Sequence, residues 1–271
     1  MELITITDVR DFNPEHVFEC GQCFRWNLED GKYVGIAGGH VARVNWDESN
    51  SILTLEVSGG DENFWRHYFD LDTDYSAIKK AIIDKQAKIE SACEYGYGIR
   101  ILNQDMFETL ISFIVSQNNN IPRIKKCIEA LCENYGEELG EIFGRKRYAF
   151  PTAKALAEAP VCELADLKLG YRCEYIVASA AKYLEEGSPS SYEELISYLG
   201  IGPKVANCIV LFGLHKVDAF PVDTWVKHIM NDMYGFVETD VKGMTRFAAD
   251  KFGSYAGYAQ QYLFYYYRDR S

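Results

Sequence analysis

Through its first sixty residues the chain alternates apolar and polar positions. Gln22–Asn27, Lys32–Ala37, Val41–Trp46 and Ile52–Val57 are rich in β-branched and aromatic side chains, and turn formers at Glu29–Gly31, Gly38–Gly39 and Asp47–Ser51 separate them. This period-two pattern predicts a small antiparallel sheet. From Asp61 onward the period lengthens, and Asp61–Tyr68 and Tyr75–Ile83 read as short helices. Asp105 opens an apolar helix over Met106–Ser116, Asn118–Asn120 interrupts it, and Ile121–Tyr135 resumes with Ile124, Ile128 and Leu131 on one face. Further helices are predicted at Thr152–Glu158, Cys162–Lys168, Arg172–Glu185, Pro203–Leu214, Asp223–Tyr234, Val241–Phe252 and Tyr255–Tyr266, with a capping box at Ser191 and Glu194. No strand is predicted after the first lobe. The fold class is therefore α+β: a β-sheet lobe with short helices over residues 1–98, then a helical body over 99–271.

Composition sharpens this picture in two places. No apolar stretch is long enough to span a bilayer, and the opening MELITITDVR lacks a basic start followed by an apolar run, so the chain reads as soluble and intracellular, without a membrane partner. Eight cysteines fit such a compartment as free thiols. Cys20 and Cys23 have no second pair at zinc-site spacing, so no metal and no cofactor are expected. The net charge of −12 runs against a nucleic-acid partner, yet binding depends on local clusters. Basic residues gather at Arg123–Lys125–Lys126, at Arg145–Lys146–Arg147 and near Lys204.

The chemistry concentrates in Tyr198-Leu-Gly-Ile-Gly-Pro-Lys-Val-Ala-Asn-Cys208 and in the Pro221-Val-Asp-Thr-Trp225 that follows. Gly200 and Gly202 permit a tight hairpin, and Pro203 suits the first turn of the next helix. Amides exposed at a helix start attract phosphate without side-chain charge, which reconciles an acidic chain with DNA. Lys204 and Cys208 lie four apart on one stripe, and Asp223 is placed to cap a helix. Taken singly, a lysine near a helix start is usually solvated and such an aspartate is usually only a cap. Their combination with the hairpin is what points to chemistry.

That combination resembles the helix-hairpin-helix glycosylase superfamily (HhH-GPD), and within it the 8-oxoguanine DNA glycosylases. The resemblance extends to Gly21-Gln-Cys-Phe-Arg-Trp26, Ser116-Gln-Asn-Asn-Asn-Ile-Pro-Arg123, Leu169-Gly-Tyr-Arg172 and Tyr255-Ala-Gly-Tyr-Ala-Gln260 with Phe264, in the family's order. It departs at Leu199, where many relatives have Pro, and at Trp225, where relatives often have a polar residue. The endonuclease III branch carries an iron–sulfur cluster on four cysteines after the catalytic Asp. This chain has no cysteine beyond Cys208. Alkyl-base glycosylases lack the hairpin lysine.

The resemblance implies a TATA-binding-protein-like sheet lobe followed by a helical glycosylase body, with the helix-hairpin-helix at about residues 191–214. It implies a monomeric bifunctional glycosylase and lyase of base excision repair, working on double-stranded DNA that carries 8-oxoguanine opposite cytosine, in the cytoplasm or nucleoid, or in the nucleus if the host is eukaryotic. Lys204 would be the nucleophile, its amine kept neutral by burial, and Asp223 its electrostatic partner. The flipped base would lie between Cys208 and Phe264, with Gln260 on its Watson–Crick edge and the carbonyl of Gly21 accepting the N7–H that guanine lacks. Asn118, Arg123 and Arg172 would read the opposite cytosine and Tyr171 would wedge the kinked step. Gly200 and Gly202 would offer amides to a phosphate. The alternatives are a glycosylase for alkylated purines or oxidised pyrimidines, and a non-catalytic hairpin module that only holds DNA.

Overall fold

A computed structural model describes residues 1–270. Strands β1 (Glu2–Ile6), β2 (Trp26–Glu29), β3 (Lys32–Ala37), β4 (His40–Asp47) and β5 (Ile52–Val57) form an antiparallel sheet in the order β1-β5-β4-β3-β2. The first residues of the chain supply its edge, pairing Glu2 with Val57 through to Ile6 with Leu53. The strand expected over Gln22–Asn27 begins only at Trp26. The buried Gln22 side chain takes the preceding segment elsewhere, donating to the carbonyls of Val17 and Arg100 (2.9 and 2.7 Å) and accepting from the Leu102 amide (2.9 Å).

Two short helices cover one face of the sheet. α1 (Pro14–Phe18) is capped by Asn13 and α2 (Glu62–Tyr68) by Asp61. Phe18 and Trp26 stack with ring centroids 4.2 Å apart, and Trp26 Nε1 donates to the Tyr68 hydroxyl at 2.8 Å. The other face is covered by a second sheet that the sequence pattern did not predict. β6 (Glu138–Ile142) and β7 (Arg145–Tyr148) make a hairpin whose Leu139, Ile142 and Phe143 pack on Val34, Ile36 and Val41. Its strands are charged and short, and the pairing slips between Glu138 and Gly140, so no clean alternation survives.

The remaining elements build a larger helical core. They are α3 (Tyr75–Lys85), α4 (Glu90–Tyr95), α5 (Met106–Ser116), α6 (Ile121–Tyr135), α7 (Ala153–Ala157), α8 (Val161–Asp166), α9 (Arg172–Glu186), α10 (Tyr192–Ile196), α11 (Pro203–Phe212), α12 (Thr224–Tyr234), α13 (Val241–Phe252) and α14 (Ala256–Asp269). α5 runs through the middle, buried on nearly every side. A division at residue 98 cuts across this core, because Tyr75, Ile78 and Ile82 of α3 and Ala92 and Cys93 of α4 are buried within it. Arg100 fastens the crossing: its guanidinium donates to the carbonyls of Arg10, Asp11, Asp70 and Thr73 and sits 4.5 Å from the Tyr75 ring.

Candidate active site

Helix α11, the start of α12, the helix α14 and the segment around Gly21 enclose one cavity of about 420 Å³. Lys204, Cys208, Asp223, Gln260, Phe264 and Gly21 all line it, although more than 200 residues separate Gly21 from Phe264. Local chemistry positions each one. Between α10 and α11 the chain reverses at Gly200, whose φ is +77° and whose Cα faces the Tyr175 ring so closely that a Cβ would lie 2.3 Å from it. Gly202 precedes α11 and no side chain caps that helix, which leaves its first amides open to an anion.

Pro203 at the start of α11 fixes the turn that aims Lys204 inward, 5.9 Å above the Phe113 ring. The Cys208 sulfur beside it raises the Lys204 pKa, burial opposes the shift, and the Asp223 carboxylate adds to it. Burial was expected to make this lysine neutral. The structure reverses that expectation: with an acceptor sulfur and a carboxylate facing it, the ammonium is the favoured resting form. Cys208 is a thiol at neutral pH because burial pushes its pKa up, partly offset by Lys204.

Asp223 caps α12, its Oδ1 accepting from the Val226 amide at 2.8 Å. Burial raises its pKa, and that amide and Lys204 hold it down. The carboxylate thus serves the helix with one oxygen while facing the lysine across the cavity.

The opposite wall is built by α14 and the Gly21 segment. Gly21 has φ +78°, and a Cβ there would stand 3.3 Å from the Phe264 ring. Its neighbours are both clamped: Gln261 Nε2 donates to the Cys20 carbonyl at 3.2 Å, and Gln22 is held as described above. Gln260 is buried, and its Oε1 meets no hydrogen-bond partner among the described residues. A buried acceptor without a donor is uncommon in a finished core and fits a group that waits for a ligand. Sequence reasoning missed Gln22, Gln261 and Arg268, which also lines the cavity. The adjacent glutamines of an otherwise apolar helix were the available signal.

The four residues assigned to the DNA side sit outside this cavity, around the α5–α6 turn. Asn118 is exposed with φ +46°, and Arg123 is exposed with one bond to the Lys168 carbonyl at 3.3 Å. Tyr171 is half exposed, its hydroxyl 3.4 Å from the Gln117 carbonyl. Arg172 differs from expectation. It is buried, and its guanidinium donates to the carbonyls of Gln117, Asn118 and Leu169, so it holds the turn that presents Asn118. Most of its five donors are spent there. Among the described residues, no group of three or more His, Cys, Asp or Glu side chains could hold a metal.

Residues 4–110 match the model of the 8-oxoguanine DNA glycosylase N-terminal domain, and residues 111–253 match that of the HhH-GPD superfamily of base excision DNA repair proteins. The chain belongs to the 8-oxoguanine DNA glycosylase family. Family relatives include the N-glycosylase/DNA lyase of Saccharomyces cerevisiae, 31% identical over 92% of this chain and 81% of that protein. The N-glycosylase/DNA lyase OGG1 of Arabidopsis thaliana is 29% identical over 91% of this chain and 75% of that protein. The Clostridium acetobutylicum 8-oxoguanine glycosylase/lyase, solved with double-stranded DNA containing cytosine opposite 8-oxoG, superposes with a TM-score of 0.93. It is 38% identical, covering 99% of this chain and 96% of that one. Of the two departures from the family pattern, Leu199 is exposed beside the hairpin and Trp225 lines the cavity near Asp223.

Proposed function

We propose that this glycosylase excises 8-oxoguanine from double-stranded DNA and then cleaves the strand, with Lys204 as nucleophile. The observation that carries the assignment is the meeting of Lys204 and Asp223 in a cavity whose other wall is Gly21, Gln260 and Phe264. A base inside a duplex is out of reach, so the nucleotide must first be extruded. Its purine ring would lie between Cys208 and Phe264, which line that cavity, where Gln260 offers an unpaired acceptor. Lys204 Nζ gives up a proton and bonds to C1′ as the C1′–N9 bond breaks; the base leaves with the bonding pair and takes a proton. Ring opening of the sugar yields the Schiff base, and loss of a 2′ proton expels the 3′ phosphate. Asp223 stabilises the positive charge that builds on the sugar. A module that only held DNA would need the hairpin amides but neither of these cavity-lining side chains. Among the described residues no helix is long and apolar enough to cross a membrane, and a double-stranded DNA substrate favours work in the nucleoid or nucleus.

Borohydride trapping tests the reading. Wild-type protein should be trapped on an 8-oxoguanine:cytosine duplex, and Lys204→Gln should abolish trapping and excision while retaining duplex binding. A mutant trapped at the wild-type rate would remove Lys204 from the mechanism. Duplexes carrying alkylated purines or oxidised pyrimidines, run alongside, decide the lesion class.

A further inference from the structure

Arg268 lies one helical turn beyond Phe264 on α14 and reaches back into the cavity. Its guanidinium carbon stands 5.4 Å from the centroid of the Phe264 ring and 5.5 Å from that of Tyr265. Nε and Nη2 donate to Asp269 Oδ1 at 3.1 and 2.7 Å. Nη1 is different. It is buried, and among the described residues it meets no acceptor. It lies 3.9 Å from the position a Cβ would take on Gly21, beside the backbone on which the base's N7 edge is proposed to rest. A charged donor left dry without a partner is costly, and structures seldom keep one unless a ligand completes it.

The chemistry of the substrate supplies that partner. Guanine presents two acceptors on this edge, N7 and O6. In 8-oxoguanine N7 carries a proton and a second carbonyl, O8, stands on its other side. The edge then reads acceptor, donor, acceptor. A backbone carbonyl at Gly21 answers the central N7–H but leaves both flanking oxygens needing donors. Guanidinium N–H groups donate and never accept, and hydrogen bonds from charged donors are the stronger kind. We infer that Arg268 is a base-recognition residue whose Nη1 donates to a carbonyl oxygen flanking N7 of the flipped 8-oxopurine. Together Gly21 and Arg268 form an acceptor–donor pair for that edge, while Asp269 holds the guanidinium in orientation. The inference rests on the proposed glycosylase reading, and the test separates the two.

Single-turnover excision is measured on an 8-oxoguanine:cytosine duplex with wild type and Arg268→Met, which keeps most of the apolar stem. Borohydride trapping on a preformed abasic site serves as the companion measurement, because it needs Lys204 but no base. Arg268→Met should lose about ten- to hundred-fold in excision, with abasic-site trapping within about twofold of wild type. The same loss should persist in a Phe264→Leu background, since the bond goes to the base and not through the ring. Wild-type excision matched by Arg268→Met would overturn the inference and leave the function intact. So would disappearance of the loss in the Phe264→Leu background, or an equal loss of abasic-site trapping, which would mark Arg268 as a support for the helix. Failure of the wild type to excise 8-oxoguanine would instead defeat the function itself.

Discussion

In the proposed mechanism Lys204 must lose a proton before it attacks, and its surroundings hold that proton. The Cys208 sulfur and the Asp223 carboxylate both raise its pKa against the opposing effect of burial. The sign follows directly. Below the lysine's pKa the reactive amine grows tenfold with each pH unit, so the single-turnover excision rate should climb as pH rises through and beyond neutrality. Cys208→Ala removes the sulfur that accepts from the ammonium, so it should move that rise to lower pH even though loss of one slot wall lowers the overall rate. A pH–rate profile normalised to its own plateau isolates the shift. Superimposable profiles for the two proteins would show that Cys208 does not set the protonation of Lys204. These residues were readable in the sequence because Gly, Pro, Lys and Asp at fixed spacing carry a local mechanism. The protonation state was not, since it depends on which groups face the amine across the fold. Arg172 and Arg268 were opaque for a related reason. An arginine in a sequence looks solvated, whereas burial and partners make one a backbone clamp and leave the other with a free donor in a cavity.

At the scale of elements, the hairpin between α10 and α11 carries both the open amides proposed for a phosphate and the proposed nucleophile. Its two glycines do different work. Gly200 sits at φ +77° against Tyr175, whereas Gly202 has open space where a Cβ would be. Gly200→Ala should therefore cost on the order of 1–3 kcal/mol and lower the melting temperature by several degrees. Gly202→Ala should melt near the wild type, yet bind duplex more weakly if its methyl crowds the amides proposed to take a phosphate. Melting curves and duplex titrations at one fixed salt concentration check both. Equal melting temperatures for the two variants would show that the close approach to Tyr175 is not a constraint. Helices with strong apolar stripes, such as α5 and α6, were legible from periodicity alone. The β6–β7 hairpin was hidden because charged side chains and a bulge at Gly140 erase alternation, and only the face of another sheet supplies its apolar partner. The start of β2 was misplaced for a similar tertiary reason, the pull of the buried Gln22.

Across the whole molecule, an enzyme of charge −12 must meet a polyanion. The basic clusters seen in the sequence mostly satisfy the protein itself. Lys125 pairs with Glu19 at 3.0 Å, Lys146 with Glu138 at 3.2 Å, and Arg147 and Arg145 with Glu29 at 2.6 and 3.6 Å. What stays uncommitted is the edge of a cleft of about 540 Å³ lined by Arg123, Lys126 and Lys168, next to the turn that displays Asn118. In the proposed reading, side-chain contact with the strand opposite the lesion would rest on few groups, and the buried Arg172 has little left to give. Arg123 is the exposed guanidinium with donors to spare. A cytosine deprived of its partner presents N3 and O2 acceptors that such donors fit, whereas adenine is larger and turns its amino group toward them. An unmatched polar contact of that kind costs roughly 1–3 kcal/mol, about a five- to hundred-fold preference. Excision of 8-oxoguanine should thus be faster opposite cytosine than opposite adenine, which protects the cell from fixing a mutation. Arg123→Ala should flatten that ratio more than it slows the cytosine duplex. Arg172→Ala should instead lower the melting temperature, by releasing the carbonyls of Gln117, Asn118 and Leu169. Single-turnover rates on duplexes differing only in the opposite base measure the ratio. An unchanged ratio in Arg123→Ala would assign the preference to Asn118 or to the backbone of its turn.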